Sequence, residues 1–366
     1  MLETARIRIF PADREQMEDR ISSEADKEMK KAYREMLNGC IACRVSMQEK
    51  GQYRIIGPEG EQWAKVSGKF RYGSGTASDY PAVGDYVLAE PVAGGAWVIH
   101  TVLPRKSVFM RKAAGTGNTG QVVASNIDTV FLCMALNSDF NVRRMERYLT
   151  AAWDSGAAPV ILLTKKDLCD DLDEKLMQIE DIAPGVDIIT STSISEDGIK
   201  QVEPYLEKGK TYAFTGSSGV GKSTLINRLL KEDRLETNGL RNDGKGRHTT
   251  THREMIFLPC GAIVIDTPGM RELGMWAAET GLSASFADVE ALALKCRFRD
   301  CTHTLEPGCA VRNAIECGEL SEERLLSYKK LEAENSYSED SDSYLESKKE
   351  KFKTISKINR ANRKNR

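Results

Sequence analysis

The run Gly216-Ser217-Ser218-Gly219-Val220-Gly221-Lys222-Ser223 constrains this chain more than any other stretch. It follows the apolar residues Tyr212-Ala213-Phe214 and opens the helical pattern Leu225-Ile226-Asn227-Arg228-Leu229-Leu230. Glycines so placed let successive backbone N–H groups curl into a nest for phosphate, and the helix start adds the positive end of its dipole. Lys222 is spaced to reach the β and γ phosphates, Ser223 to bind Mg²⁺, and Thr224 shares the first turn of the helix. A strand, this loop and a helix in that order predict nucleotide binding.

From about residue 110, apolar β runs alternate with helical patterns. Strands are predicted at 129–136, 159–163 and 187–189 and helices at 142–154, 172–181 and 199–206, all before the P-loop strand. Such alternation predicts a doubly wound α/β domain. The strand at 160–163 runs into Thr164-Lys165-Lys166-Asp167, and open α/β sheets bind ligands at the carboxyl ends of their strands. A carboxylate at Asp167 can accept from both guanine N1–H and N2–H₂, a donor pair adenine lacks, while the stem of Lys165 covers the ring. The pattern resembles the Asn-Lys-x-Asp element of GTPases, with Thr164 in place of Asn. That change is expected to remove an amide that ties the base loop to the P-loop, leaving guanine selectivity with weaker affinity. A second strand ending, Ile189-Thr190-Ser191-Thr192-Ser193, resembles the loop that closes over guanine O6, which makes Thr192 and Ser193 candidates for the same pocket.

After the P-loop come Gly246-Arg247-His248-Thr249-Thr250-Thr251, two β runs at 255–258 and 262–265, and Asp266-Thr267-Pro268-Gly269. In GTPases a switch threonine, here Thr249 or Thr250, closes on Mg²⁺ and γ-phosphate. The Asp of Asp-x-x-Gly holds Mg²⁺ through water, and its Gly N–H senses the γ-phosphate, roles that fall on Asp266 and Gly269. Every part is present in rotated order, the base elements first, so a circularly permuted GTPase domain is expected. Small GTPases orient the attacking water with a glutamine directly after Asp-x-x-Gly. Met270 stands there, and a thioether cannot do that job. His248 is the nearest polar switch residue, and an imidazole whose intrinsic pKa lies near 6.5 can accept a hydrogen bond from water. Lys222, Thr250 and His248 are therefore the catalytic candidates.

Two further modules flank this domain. Residues 39–103 break into short β runs at 40–47, 53–56, 62–66, 85–89 and 97–102 separated by turn residues, which suits a five-stranded OB-type barrel. Lys69-Phe70-Arg71-Tyr72 is predicted as a loop whose aromatic and basic side chains stack on bases or simply meet solvent. Cys40-Ile41-Ala42-Cys43 has redox or zinc spacing but lies in a strand run without a second ligand pair, and is read as core packing. Beyond a helical pattern from Phe286, Cys296, Cys301, His303 and Cys309 follow as Cys-x4-Cys-x-His-x5-Cys, four soft ligands that can close a tetrahedral Zn²⁺ site, with Cys317 the nearby alternative. Nine cysteines are an odd number, and this clustering favours metal over disulfides.

The combination of barrel, permuted GTPase with Gly-Arg-His-Thr-Thr and Asp-Thr-Pro-Gly, and zinc segment running into Glu306-Pro307-Gly308-Cys309 resembles the RsgA family of bacterial ribosome small-subunit-dependent GTPases. The likeness covers residues 38–330. It implies binding to the 30S subunit and its 16S rRNA late in maturation, weak GTP hydrolysis to GDP stimulated by that subunit, and a catalytic role for His248.

The expected division is an amphipathic helix extension at 1–37, an OB-fold RNA-binding domain at 38–110, the permuted GTPase at 111–280, a helical zinc module at 281–335 and a charged tail at 336–366. In the first of these, Met17, Ile21, Ala25, Met29, Tyr33 and Leu37 recur every fourth position. In the tail, residues 332–346 hold six acidic side chains and no basic one, whereas 348–366 hold nine Lys or Arg, a pattern expected to add nonspecific phosphate affinity. No apolar run approaches the roughly 20 residues that span a bilayer, and Met1-Leu2-Glu3-Thr4 does not begin a signal pattern, so a cytoplasmic location without membrane contact is expected. Nothing requires a dimer, and a monomer is expected. Two other readings are a P-loop ATPase, disfavoured by the acceptor at Asp167, and a non-enzymatic RNA adaptor that holds nucleotide only as a structural ligand.

Overall fold

The structure, a computed structural model, describes residues 40–49, 51–92, 94–112, 120–192, 197–235, 253–266 and 279–339. Strand period decides the first layer. In β8 (Thr129–Ala135), Val130, Leu132 and Met134 join one core cluster and Phe131, Cys133 and Ala135 join another. Both faces of that strand are therefore covered, as its continuous apolar run requires. β9 (Ala158–Thr164), β10 (Asp187–Thr190), β11 (Thr211–Thr215) and β13 (Ile263–Asp266) complete a parallel sheet in the order β10-β9-β8-β11-β13. β12 (Arg253–Phe257) runs antiparallel to β13. The order reverses between β8 and β11, which creates the crevice where doubly wound sheets bind ligands.

Five earlier strands form a closed barrel: β1 (Ile41–Glu49), β2 (Gln52–Gly57), β3 (Gly60–Val66), β4 (Tyr86–Pro91) and β5 (Trp97–Val102), with β1 pairing both β2 and β4. The alternating residues Cys43, Val45, Tyr53, Ile55, Val87, Ala89, Trp97 and Ile99 fill its interior. The predicted loop at 69–72 is instead part of helix α1 (Gly68–Gly73), capped by the Ser67 hydroxyl, which accepts from Phe70 N at 3.0 Å. Phe70 packs edge-on to Tyr80 at 5.9 Å and against the barrel core, whereas Tyr72 is 96% exposed. A hairpin of β6 (Val108–Lys112) and β7 (Gly120–Ser125) follows the barrel.

The barrel and the P-loop domain share one 11-stranded sheet, because β12 pairs with β1 at Met47↔Glu254 and Gln48↔Arg253. A buried charge reinforces that seam, and another locks the barrel to the segment that leaves it. The Arg44 guanidinium donates to Thr211 Oγ1 at 2.7 Å and lies 4.9 Å from the Tyr86 ring centre. Asp85 is fully buried and takes Arg105 in a fork at 2.7 and 2.8 Å, together with Ala82 N at 2.7 Å. Such pairing is what makes a buried carboxylate tolerable.

Helices clothe the sheet: α2 (Val142–Ser155), α3 (Leu172–Glu180), α4 (Asp197–Lys200) and α5 (Lys222–Leu230). The predicted helix at 199–206 is broken into α4 and a 3₁₀ turn, Glu203–Tyr205, with Pro204 beside the break. α2 is capped by Asn141, whose side chain accepts from Arg144 N at 2.9 Å, and buries Met145, Tyr148, Leu149 and Ala152. The C-terminal module holds α6 (Glu279–Ser285), α7 (Ala287–Ala293), α8 (Ala310–Glu316) and α9 (Glu322–Glu339) around their own apolar core. Gly281 permits its docking on α2, since a Cβ there would stand 2.0 Å from Thr150 O. Among the described residues no helix is long and apolar enough to cross a membrane. The N-terminal helical pattern and the basic tail lie outside the described residues.

Candidate nucleotide site and metal cluster

Strand ends bring the nucleotide candidates to one edge of the sheet. Residues 216–221 link β11 to α5, and Gly216 has φ +145°, with space for a Cβ closed by Cys133 O at 2.2 Å. The loop therefore passes directly over the end of β8. Gly221 caps α5, placing Lys222, Ser223 and Thr224 in its first turn. Lys222 Nζ donates to Gly216 O at 2.6 Å and Ser217 O at 2.7 Å, which holds the ammonium over the loop. Asp266 ends β13 beside β11.

The base loop reaches the P-loop after all. Thr164 Oγ1 donates to Val220 O at 2.7 Å, so the hydroxyl supplies the tie that replacement of Asn was expected to remove. Thr164 is buried at the end of β9, and its hydroxyl also lies 3.4 Å from Met134 O. Lys165 follows at φ +57° and starts the 3₁₀ turn Lys166–Leu168, which carries Asp167. Asp167 accepts from the Thr192 hydroxyl, and Lys166 N donates to Ser191 O at 3.2 Å, which joins the β9 and β10 loops. Ser193, His248, Thr249, Thr250 and Gly269 lie outside the described residues.

Thr164→Val keeps the side-chain shape but removes the donor to Val220 O. GDP affinity is expected to fall about 5- to 10-fold, the scale of one lost hydrogen bond at a buried acceptor. Displacement of fluorescent GDP measures it, and an unchanged affinity would separate the tie from binding.

One element of the site escaped the sequence reading. Ser217 Oγ donates to Asp139 Oδ2 at 2.8 Å, and Arg144 Nη1 reaches both Ser217 Oγ at 2.6 Å and Asp139 Oδ1 at 2.8 Å. Burial alone would raise the Asp139 carboxyl, but these hydrogen bonds hold it below the usual carboxylate range. The available signal was position, since Asp139 follows the carboxyl end of β8.

In the C-terminal module the donor atoms of Cys296, Cys301, His303 and Cys309 all lie within 4.8 Å of one another. Cys296 Sγ is 3.6 Å from His303 Nδ1 and 3.9 Å from Cys309 Sγ, and His303 Nδ1 is 3.4 Å from Cys309 Sγ. A tetrahedral Zn²⁺ with bonds of about 2.0–2.3 Å sets its donors about 3.5–3.8 Å apart, so this set fits it. The cluster is held from both sides. Lys329 Nζ donates to His303 O at 3.1 Å, and Glu306 gathers the amides of Thr302 and Thr304 at 3.0 and 2.8 Å. Cys317 is exposed after α8 and is not part of the cluster.

Comparison with known proteins adds an independent line. The family model described as RsgA GTPase matches residues 102–276. The small ribosomal subunit biogenesis GTPase RsgA 2 of Lactiplantibacillus plantarum is 52% identical over 301 residues, which cover 82% of this chain and 85% of that protein. The small ribosomal subunit biogenesis GTPase RsgA of Opitutus terrae is 45% identical over 308 residues, covering 81% and 84%. Among solved structures, YjeQ from Thermotoga maritima superposes with a TM-score of 0.60 at 28% identity, covering 81% of this chain and 98% of that one. YloQ, a circularly permuted GTPase, gives 0.58 at 23% identity, covering 82% and 96%, and shares the fold.

Proposed function

The chain belongs to the RsgA GTPase family, and from that premise we propose that it binds the 30S ribosomal subunit late in assembly and hydrolyses GTP to GDP and phosphate there. The observation that carries this reading is the convergence of base loop and phosphate loop, joined by the Thr164–Val220 hydrogen bond. Asp167, already positioned by Thr192, accepts from the guanine N1–H and N2–H₂ edge, and Lys165 covers the ring. Lys222 exchanges loop carbonyls for phosphate oxygens as GTP enters, which places positive charge where negative charge is greatest. Ser223, Thr250 and Asp266 are the residues that would hold Mg²⁺, which when bound neutralises charge on the β and γ phosphates. Thr249 and the N–H of Gly269 complete the switch contacts to the γ-phosphate.

The barrel faces 16S rRNA. Arg54 lies 4.8 Å from the ring of Trp63, which is 43% exposed, and with Tyr72 this gives cationic and aromatic surface suited to phosphate and base. The protein acts as a cytoplasmic monomer. GTP turnover measured alone and with purified 30S, 50S or 70S particles tests the proposal. Stimulation confined to 30S is expected, and no phosphate release with saturating 30S would favour the adaptor reading.

His248 orients the attacking water once the subunit orders the switch. His248→Ala is expected to cut 30S-stimulated turnover by about 10- to 100-fold with GTP affinity and 30S binding kept, the scale of one positioning or acid-base group. Loss of 30S binding instead would move the histidine to the interface.

Cys296, Cys301, His303 and Cys309 hold one structural Zn²⁺, since four protein ligands leave no open position. Cys301→Ser is expected to release the metal and loosen the C-terminal module while nucleotide binding persists. Elemental analysis of the pure protein decides the matter, and a zinc-free wild type would end this assignment.

A further inference from the structure

The Cys40-Ile41-Ala42-Cys43 run is divided between two environments by the barrel. Cys43 is buried in the interior, as core packing requires. Cys40 lies one residue before β1 and packs on the outer face beside Tyr86, Leu88 and Leu103. The β1–β4 ladder pairs Ile41 with Ala89, which brings Cys40 alongside Glu90. On the next strand, Leu88 pairs with Thr101 and Ala89 with Ile99, so His100 is the extra residue of a β-bulge. Bulges re-aim a side chain, and this one turns the imidazole onto Glu90, with Nε2 2.9 Å from Oε1. Cys40 directly before β1, Glu90 on β4 and His100 on β5 thus meet, each half-buried, with their donor atoms within 4.8 Å of one another.

We propose that Cys40, Glu90 and His100 form a second metal site, on the outer wall of the barrel, that takes Zn²⁺ with three protein donors. Thiolate, imidazole and carboxylate are the donor types zinc favours, and thiolate plus carboxylate balance its charge. Three protein ligands leave a fourth position for water, unlike the four-ligand cluster of the C-terminal module. The barrel pre-sets the geometry, because Glu90 leaves the β4–β5 ladder, His100 its bulge and Cys40 the residue directly before β1. The site is independent of the C-terminal cluster and of the nucleotide pocket, which lie on other elements.

Equilibrium dialysis of the full-length protein against buffered zinc chloride, read by elemental analysis, tests this. Cys40→Ser and His100→Ala are each expected to lower the bound zinc by one per chain, with the ion at Cys296, Cys301, His303 and Cys309 retained. Cys301→Ser should remove that other ion and leave this one, so failure of either site is visible separately. Should a variant misfold, Glu90→Gln keeps the side-chain shape and is expected to weaken the same ion by about tenfold or more, as loss of a ligand charge does. Zinc content that is the same in wild type, His100→Ala and Glu90→Gln would overturn the proposal and leave the trio as a hydrogen-bonded His–Glu pair beside a packing thiol.

Discussion

Asp167→Asn is expected to weaken GDP and GTP binding by about 100-fold or more and to shift preference toward xanthine nucleotides. In the proposed complex the carboxylate would accept two hydrogen bonds from guanine, and charge-assisted bonds are worth about 1.5–3 kcal/mol each. An amide keeps one acceptor but turns a donor toward the N2–H₂ group, so one attraction becomes a donor–donor clash. Xanthine carries a carbonyl at that position and restores the match. The supporting frame should survive, because the Thr192 hydroxyl can still donate to the amide oxygen and the Thr164–Val220 bond is untouched. Competition of GDP and xanthosine diphosphate for the same site measures both halves. If GDP affinity held and the xanthine nucleotide gained nothing, Asp167 would not be the base-reading residue.

The second large effect is on stability. Arg324→Ala is expected to cost about 3–5 kcal/mol, the usual result of breaking a buried charge pair from one side. Glu146 on α2 is fully buried and accepts from Arg143 Nη1 at 2.8 Å, Arg324 Nη1 at 2.7 Å and the Ser327 hydroxyl. Arg324 also donates to Ser285 O at 2.6 Å and to Asp288, and its guanidinium lies 4.1 Å from the Phe286 ring centre. Removal takes one of its three donors from the buried carboxylate and the guanidinium donor from the Ser285 carbonyl, both in the buried contact between α2 and the C-terminal module. A control sits at the next residue of α2. Arg147 pairs with Glu334 at 2.9 Å where both side chains are more than a third exposed, and Arg147→Ala should cost under about 1 kcal/mol. Urea unfolding compares the two, and equal losses would show that the buried network is not what docks the C-terminal module. α2 also carries Arg144, which holds Ser217 of the P-loop, so one helix touches the phosphate loop near its start and the C-terminal module two residues later.

The parts of this protein that were legible in the sequence are those written in consecutive residues. The P-loop, the Lys-Lys-Asp turn, the rotated order of the GTPase elements and the Cys-x4-Cys-x-His-x5-Cys spacing each need only neighbours in the chain, because a turn or a ligand loop is closed locally. Apolar runs likewise announced the parallel strands, since a strand covered on both faces has no polar side. Tertiary structure decided what depends on which face a residue takes. Thr164 and Val220 are 56 positions apart, and whether a threonine replaces the tie of an asparagine turns on where β9 ends relative to the P-loop. Ser217, Asp139 and Arg144 meet only because β8 and β11 are adjacent. Cys40 and Cys43 share a motif yet point out of and into the barrel, and Phe70 turned inward because a helix replaced the expected loop. In a strand a shift of one residue exchanges the faces, and register is set by partners far along the chain. Local spacing can therefore name the chemistry of a site, while the pairing of distant strands determines which side chains meet there.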